Sequence, residues 1–211
     1  PVIIVGAGGH ANVIIEALVL SGVEIIGCTS LNDKIGILCQ GIRVLGGDDV
    51  IFSYKPEDIM LVNGIGSLPN QSTRWDLAVK MRARGFKFMS VKHPSIIISK
   101  NVKLEEGVQI MAGSIIQSGV IIGQDSIINS GSILDHDCII GSQCHISPGV
   151  TLSGGVQIDN RTHIGTGTVV IQNVVVGSDT VIAAGSVIYQ NIPNNITFIQ
   201  RTINDIIKFI I

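Results

Sequence analysis

The sequence predicts two joined architectures: a Rossmann-like α/β half domain over residues 1–92, then a parallel β-solenoid over residues 93–211 that ends in a short cap. Three observations carry this expectation. Residues 95–190 divide into sixteen consecutive hexads, SIIISK through GSVIYQ, with no insertion or deletion. The fourth place is Ile, Leu or Val in all sixteen, from Ile98 to Ile188, and the second place is always Ser, Thr, Cys, Val or Ile. Before residue 93 the pattern changes to short apolar runs alternating with helical segments, opened by a glycine-rich turn.

A period of six is neither the 3.6 of a helix nor the 2 of a plain strand. Six residues form a short strand and a turn, three such units close a triangular coil, and coils stack at roughly 4.7–4.9 Å. Fourth-place aliphatics then fill the axis, and second-place residues are small because they sit near the corners. Sixteen hexads make just over five coils. Asn191-Ile-Pro-Asn-Asn195 breaks the repeat, Thr197–Ile199 offers a last strand, and Asn204–Ile211 reads as a short apolar helix over the open end. Such a cover is needed because an uncovered coil is an exposed sheet edge. The repeat resembles the left-handed β-helix of hexapeptide acyltransferases, an exception to the right-handed rule for parallel crossovers.

In the first 92 residues, Val2–Val5 is an apolar run ending in Gly6-Ala-Gly-Gly-His-Ala11, and Asn12–Leu20 follows as a helix. Glu24–Cys28 is a second strand, Gly41–Asp48 a loop with a short strand, and Asp58–Gly64 a third strand. Ser72–Arg84 is a helix with Trp75, Leu77, Ala78, Met81 and Ala83 at its apolar positions, and Phe86–Ser90 closes the sheet. Alternating β and α elements imply a parallel sheet. The turn satisfies G-x-G-x-x-A, which lets a backbone approach a phosphate at a helix N-terminus. A dinucleotide site also wants an acid at the end of the second strand, where Cys28-Thr29-Ser30 stands and Asp33 lies too far on. A mononucleotide or sugar-nucleotide site is therefore favoured over NAD, with a purely structural turn as the bland alternative. His93-Pro94-Ser95 punctuates the boundary, since the residue before proline is pushed towards extended geometry.

Composition narrows the function classes. A net charge of −2 and a pI near 6.2 give no nucleic-acid footprint. Hydrophobic content is 45% and mean hydropathy +0.50, yet no apolar run reaches the ~18 residues of a membrane span. The opening Pro1-Val-Ile-Ile-Val-Gly lacks the basic flank of a signal peptide. The four cysteines show no CxxC spacing, and Cys138 and Cys144 fall on second places as small core residues. A reducing cytoplasm is expected.

Histidine is scarce, with five in the chain, so those on the solenoid stand out. His136 is the sixth residue of its hexad, at an outward corner between Asp135 and Asp137. A neighbouring carboxylate raises an imidazole's basicity and orients it, which suits general-base work. The bland alternative is a solvated corner histidine. His145 lies nine residues on, on another face, so the two histidines would converge only between subunits of a trimer. His163 is one coil beyond His145 and reads as its ladder partner.

Together, Gly6-Ala-Gly-Gly-His10, Gly41-Ile-Arg-Val-Leu-Gly46, Gly64-Ile-Gly66, His93-Pro94 and Asp135-His-Asp-Cys-Ile-Ile-Gly141 resemble the sugar acetyltransferases of the PglD/NeuD type, over nearly the whole chain. The resemblance implies that His136 is the general base and that Asp137 increases its basicity. It implies acetyl-CoA contacts at His145, Thr166 and Ala184, the last two standing where the family pattern has Ile and Gly. It implies sugar-nucleotide contacts at Gly8, Gly9, His10 and Gly66, and a homotrimer with acetyl-CoA bound between subunits. Two departures stand out: Thr29-Ser30 replaces the paired acids of some members, and Ile199-Gln-Arg-Thr202 replaces the usual G-x-P-A segment.

The leading expectation is direct acetyl transfer from acetyl-CoA to an amino group of a nucleotide-linked sugar in bacterial surface-glycan biosynthesis. No Cys or Ser has a base-partnered motif for a covalent route. A backbone N–H near Gly154-Gly155, within the cofactor-binding set, is the candidate oxyanion donor. The alternatives are O-acetylation of a sialic-acid-like sugar and non-catalytic sugar-nucleotide binding. Zinc chemistry on the same solenoid needs three converging histidines. His145 and His163 lack a close third, so no metal is expected.

Overall fold

The computed structural model describes residues 1–32, 35–36, 38–69 and 71–200. The expected cap helix over 204–211, the end of the Ile199–Thr202 segment and Asp33 lie outside them. The first domain comprises β1 (Val2–Val5), α1 (Gly9–Leu20), β2 (Ile25–Thr29), β3 (Leu38–Cys39), β4 (Ile42–Gly46), β5 (Met60–Asn63) and α2 (Thr73–Arg82). The sheet order is β3-β4-β2-β1-β5, parallel except for the β3–β4 pair. Every residue of β1 is buried, as a central parallel strand requires. Val2 and Ile4 pack towards α1, while Ile3 and Val5 pack with Leu77, Ala78 and Met81 of α2.

Three details differ from the sequence reading. First, α1 begins at Gly9 rather than Asn12, because Gly8 is extended and the Asn12 N–H already closes on its carbonyl at 3.2 Å. Second, Trp75 of α2 and Ala83 just after it are not core residues: Trp75 is 38% exposed and Ala83 is exposed, whereas Arg74 is buried. The Arg74 guanidinium finds carbonyl partners, Nη1 donating to Asn63 O at 3.0 Å and to Ile65 O at 2.7 Å. Third, the expected closing strand Phe86–Ser90 is only a bridge between Leu61 and Phe88, after which the chain enters the solenoid at Val91–Lys92.

The solenoid is a left-handed parallel β-helix with three faces. Face one stacks Ile97–Ile98, Ile115–Ile116, Ile133–Leu134, Thr151–Leu152, Val169–Val170 and Val187–Ile188. Face two stacks Lys103–Leu104, Ile121–Ile122, Ile139–Ile140, Gln157–Ile158 and Val175–Val176. Face three stacks Val91–Lys92, Gln109–Ile110, Ile127–Ile128, His145–Ile146, His163–Ile164, Val181–Ile182 and Thr197–Phe198. The fourth-place residues from Ile110 to Ile188 are each at most 1% exposed, while Ile98 and Leu104 at the first coil are half-buried.

Second-place hydroxyls and thiols do more than fit. Ser114, Ser126, Ser132, Cys138, Cys144, Thr162 and Thr168 each donate to the carbonyl fifteen residues on, in the next coil. A buried polar group needs such a partner. From Gly107 to Gly185 the first place is left-handed, filled by glycine or by Asp125, Asp137, Gln143, Arg161, Asn173 and Asp179. The break at Asn191–Asn195 is a shortening rather than an end. Ile192 bridges Val176 and Thr197 pairs Val181, an offset of sixteen where earlier coils have eighteen.

The two domains are locked along face three and its neighbouring corner. Arg82 of α2 forks onto Asp125, at 2.6 and 2.8 Å, and its Nε reaches Glu106 Oε1 at 2.8 Å. Val91 and Met111 join the core beneath α1. The C-terminal ends of β1 and β5 are thereby held against face three.

Candidate active site

The sequence-expected residues fall into three places. His136 occupies the corner between faces one and two. Its Nδ1–H donates to Asp137 Oδ2 at 2.9 Å, and its backbone N–H donates to Asp135 Oδ1 at 2.8 Å. The left-handed backbone at Asp137, with φ of 60°, turns its carboxylate back to the ring. A Cβ on Gly119, one coil below, would collide with that carboxylate. The imidazole lies over Gly154, one coil above, where a Cβ would stand 2.5 Å from Nε2. Asp137 and Asp135 together raise the His136 pKa, the hydrogen bond that the ring donates to Asp137 being the larger cause. With Nδ1–H committed to a carboxylate, Nε2 keeps its lone pair and is open to solvent, since 63% of the side chain is exposed. A shallow hollow lined by Asp135, His136, Asp137, Ser153, Gly154, Gly155, Gln172 and Asn173 surrounds it. The Gly155 N–H donates to His136 O at 2.9 Å, so this N–H is committed to the stacking of coils and is not a free oxyanion donor.

The second place is face three where the first domain meets it. His10, near the start of α1, pairs through Nε2 with Gln109 Oε1 at 2.8 Å, and Gln109 Nε2 donates to Asn63 O at 2.8 Å. Gly66 lies beside His10, a Cβ there standing 3.5 Å from His10 Cβ. His145 Nδ1–H donates to Ser67 O at 3.1 Å, and its Nε2 accepts from Asn129 Nδ2 at 3.1 Å. His163 stacks edge-on to His145 with ring centroids 4.7 Å apart, the ladder pairing the spacing implied. Burial lowers the His10 pKa to about 4 and the His145 pKa to about 3, with His163 also lowered by burial. All three are neutral at pH 7. Gly8 and Gly9 open α1 beside this cluster, with nothing within 4 Å of a Cβ built on either.

Thr166 and Ala184 occupy the third place, the corner between faces three and one. They stack one coil apart, both exposed, and the Gly185 N–H donates to Thr166 O at 2.8 Å. Thus the structure joins His10, Gly66 and His145 in one network, and leaves His136 and the Thr166–Ala184 corner separate from it within the chain. The thiols of Cys138 and Cys144 are buried and pushed up to about 11 and about 12, which leaves them protonated. Among the described residues no three His, Cys, Asp or Glu side chains converge as a metal cluster.

Sequence reasoning missed Asn63, Ser67, Arg74, Gln109 and Asn129. A signal existed for one of them. Gln109, His145 and His163 share the third place of face three, at multiples of eighteen, where most other third-place residues are aliphatic. The remainder depend on which face the first domain covers, which no local pattern encodes.

A left-handed β-helix with an exposed corner histidine, joined to a half Rossmann domain, defines a hexapeptide-type acyltransferase. The family description "PglD N-terminal domain" matches residues 1–81, and "Bacterial transferase hexapeptide (six repeats)" matches residues 101–136 and 122–154. The perosamine N-acetyltransferase of Caulobacter crescentus, solved as a histidine variant with CoA and GDP-perosamine, is 35% identical, with a TM-score of 0.85 over 92% of this chain and 91% of its own. The acetyltransferase domain of PglB from Neisseria gonorrhoeae, solved with acetyl coenzyme A, is 31% identical, with a TM-score of 0.85 over 93% and 94%. WeeI from Acinetobacter baumannii shares the fold at 21% identity and a TM-score of 0.82. A comparison with curated proteins finds no match. The chain belongs to the PglD-type sugar acetyltransferases, and it is an acyltransferase.

Proposed function

We propose that this protein transfers an acetyl group from acetyl-CoA directly to the amino group of a nucleotide-linked sugar, with His136 as general base. The observation that carries this reading is the His136–Asp137 pair: an exposed imidazole whose Nδ1–H is held by a carboxylate and whose Nε2 stands free. As the amine attacks the thioester carbonyl, Nε2 takes the proton that the nitrogen must lose; the C–S bond then breaks, and CoA leaves as the thiol with the proton returned by the imidazolium. Asp137 stabilises the imidazolium that forms, and the raised pKa is the equilibrium measure of that help. The two protonated buried thiols support direct transfer over an acyl-enzyme route.

The donor's contacts in this reading are His145, Thr166, Ala184 and the Gly154–Gly155 turn, and the acceptor's are Gly8, Gly9, His10 and Gly66. Since His136 and the other two groups occupy different parts of one prism, the reading requires a homotrimer in which the His136 corner of one subunit faces the His145 face of the next. The exposed aliphatics Ile97, Ile133, Val169 and Val187 on face one, and Ile139 on face two, support such association. The similar acetyltransferases of Caulobacter crescentus, solved with CoA and GDP-perosamine, and Neisseria gonorrhoeae, solved with acetyl coenzyme A, support the donor and the acceptor class. Surface-glycan biosynthesis in the cytoplasm is the setting this chemistry suits. The test is CoA-thiol release from acetyl-CoA that depends on an added nucleoside-diphosphate amino sugar, GDP-perosamine first. Release by the parent and its loss in His136→Ala is the expected result, whereas equal release by both excludes His136 as the base.

A further inference from the structure

Gln109 is a polar side chain of the solenoid that the reaction itself does not use. It is fully buried, at a third place of face three, and both ends of its amide are engaged across the domain junction. Its Nε2 donates to Asn63 O at 2.8 Å, and its Oε1 lies 2.8 Å from His10 Nε2. We propose that Gln109 is a positioning residue that acts through His10: it holds the imidazole as the Nε2–H tautomer, so that a bare Nδ1 meets the sugar nucleotide as a hydrogen-bond acceptor. The proposal rests on the acetyltransferase reading above and adds to it a residue that touches no substrate.

The tautomer follows from a chain of forced choices. A backbone carbonyl only accepts, so Asn63 O requires the NH2 end of the Gln109 amide. Asn63 is itself fixed by α2, its carbonyl accepting from Arg74 Nη1 at 3.0 Å and its Nδ2 donating to Arg74 O at 3.0 Å. The amide therefore cannot turn over without setting two acceptors against each other. Its Oε1 carries no hydrogen, so the proton shared with His10 belongs to His10 Nε2. Burial keeps the ring from taking a second proton, lowering its pKa to about 4, and the Arg74 guanidinium adds to the effect. A neutral imidazole protonated at Nε2 has a lone pair at Nδ1. His10 Nδ1 has no partner among the described residues. The buried side-chain atoms left unpaired there are Arg74 Nε and His163 Nδ1, so His10 Nδ1 reaches the surface. It lies near Gly8 and Gly9, where a Cβ would meet nothing within 4 Å. The oxygens of a diphosphate carry no hydrogen at neutral pH, so the group that His10 meets is a hydroxyl or an N–H of the nucleotide or its sugar.

Gln109→Met keeps the length of the side chain and removes its acceptor. The Nε2–H would then be a buried donor without a partner, and the ring avoids this by carrying its proton on Nδ1, which turns the outward acceptor into a donor. Asn63 O keeps Arg74 as a partner. The experiment joins nitrogen NMR of the full chain, isotope-labelled at histidine, with acetyl-transfer kinetics on GDP-perosamine. Both are measured in the parent, Gln109→Met, His10→Phe and the double variant, and the His10→Phe spectrum assigns the His10 signals. In the parent at pH 7 the proton should sit on Nε2, with the Nδ1 signal moving when GDP-perosamine is added. In Gln109→Met the proton should sit on Nδ1, and KM for GDP-perosamine should rise about tenfold, the worth of one hydrogen bond, with kcat and KM for acetyl-CoA unchanged. In the His10→Phe background the same substitution should change nothing further, because Gln109 acts only through that ring. An equal rise of KM in both backgrounds makes Gln109 a structural tie and overturns the positioning role, while the acetyltransferase reading stands. A parent protein with its His10 proton on Nδ1 also overturns it, and that result needs no variant to fold. A bare Nδ1 that responds to GDP-perosamine without acetyl transfer supports the positioning role and defeats the reading of the reaction for that sugar.

Discussion

The smallest decisive unit is one imidazole and the two groups that hold it. Asp137 fixes the His136 tautomer, and Gly154 leaves room for the ring. Replacing His136 by Ala should leave fold and acetyl-CoA affinity intact, since the side chain is mostly in solvent, while turnover falls roughly 10²–10⁴-fold, the usual worth of a positioned base. Steady-state kinetics and a melting curve check both halves. Asp137→Asn tests the electrostatics. The carboxylate raises the histidine pKa, so its removal lowers that pKa, and the acid limb of the pH–rate profile should move to lower pH with a weaker base on the plateau. An unmoved limb would detach Asp137 from the titration. Gly154→Ala places a methyl 2.5 Å from Nε2, so it should cost activity by displacing the ring while the melting temperature changes little. The His136–Asp137 adjacency was legible in the sequence because both lie on consecutive residues at a corner. The role of Gly154 was not, because the contact spans a whole coil and depends on the three-dimensional stacking of places.

At the scale of the element, the hexad is the unit that specifies itself. A strand of two residues has no stability alone, but each coil presents its edge to the next. Fourth-place Ile140 is 1% exposed and second-place Cys138 is fully buried, with its thiol on Ser153 O. Ile140→Asp would bury an unpaired carboxylate, at a cost of several kcal/mol, and should abolish cooperative melting near the parent temperature. A parent-like melt would mean that the fourth place does not face the axis. The phase of the repeat was readable because two columns of side chains obey it without exception. Its ending was less so. Asn191–Asn195 reads as a break, yet Ile192 continues face two by bridging Val176, and the coil simply closes two residues short. Trp75 was misjudged for a related reason. Helical periodicity placed the larger apolar residue inside, but the Arg74 guanidinium is the buried group, donating to the Asn63 and Ile65 carbonyls of the first domain and to the Asp125 carbonyl of the solenoid.

For the whole molecule, the junction between domains carries a pH signature. His10 and His145 have folded pKa values of about 4 and about 3, against 6.5 when unfolded. Their neutral forms therefore favour the folded state fully above pH 6.5, and that advantage is lost as pH falls towards 4, because only the unfolded chain takes up the protons. The melting temperature should decline between pH 6.5 and 4, and His145→Asn should flatten the decline. An equally steep decline in that variant would place the acid sensitivity elsewhere. Assembly is tested by light scattering, where three times 22.3 kDa is expected and a fully active monomer would contradict a site shared between subunits. The account as a whole stands on the reaction. Its most direct measurement is mass spectrometry of nucleoside-diphosphate amino sugars, GDP-perosamine among them, after incubation with acetyl-CoA and either parent protein or His136→Ala. The account predicts one added acetyl group on a sugar nitrogen with the parent and nearly none with the variant. Acetylation of no sugar nucleotide, or equal acetylation by both proteins, would contradict it.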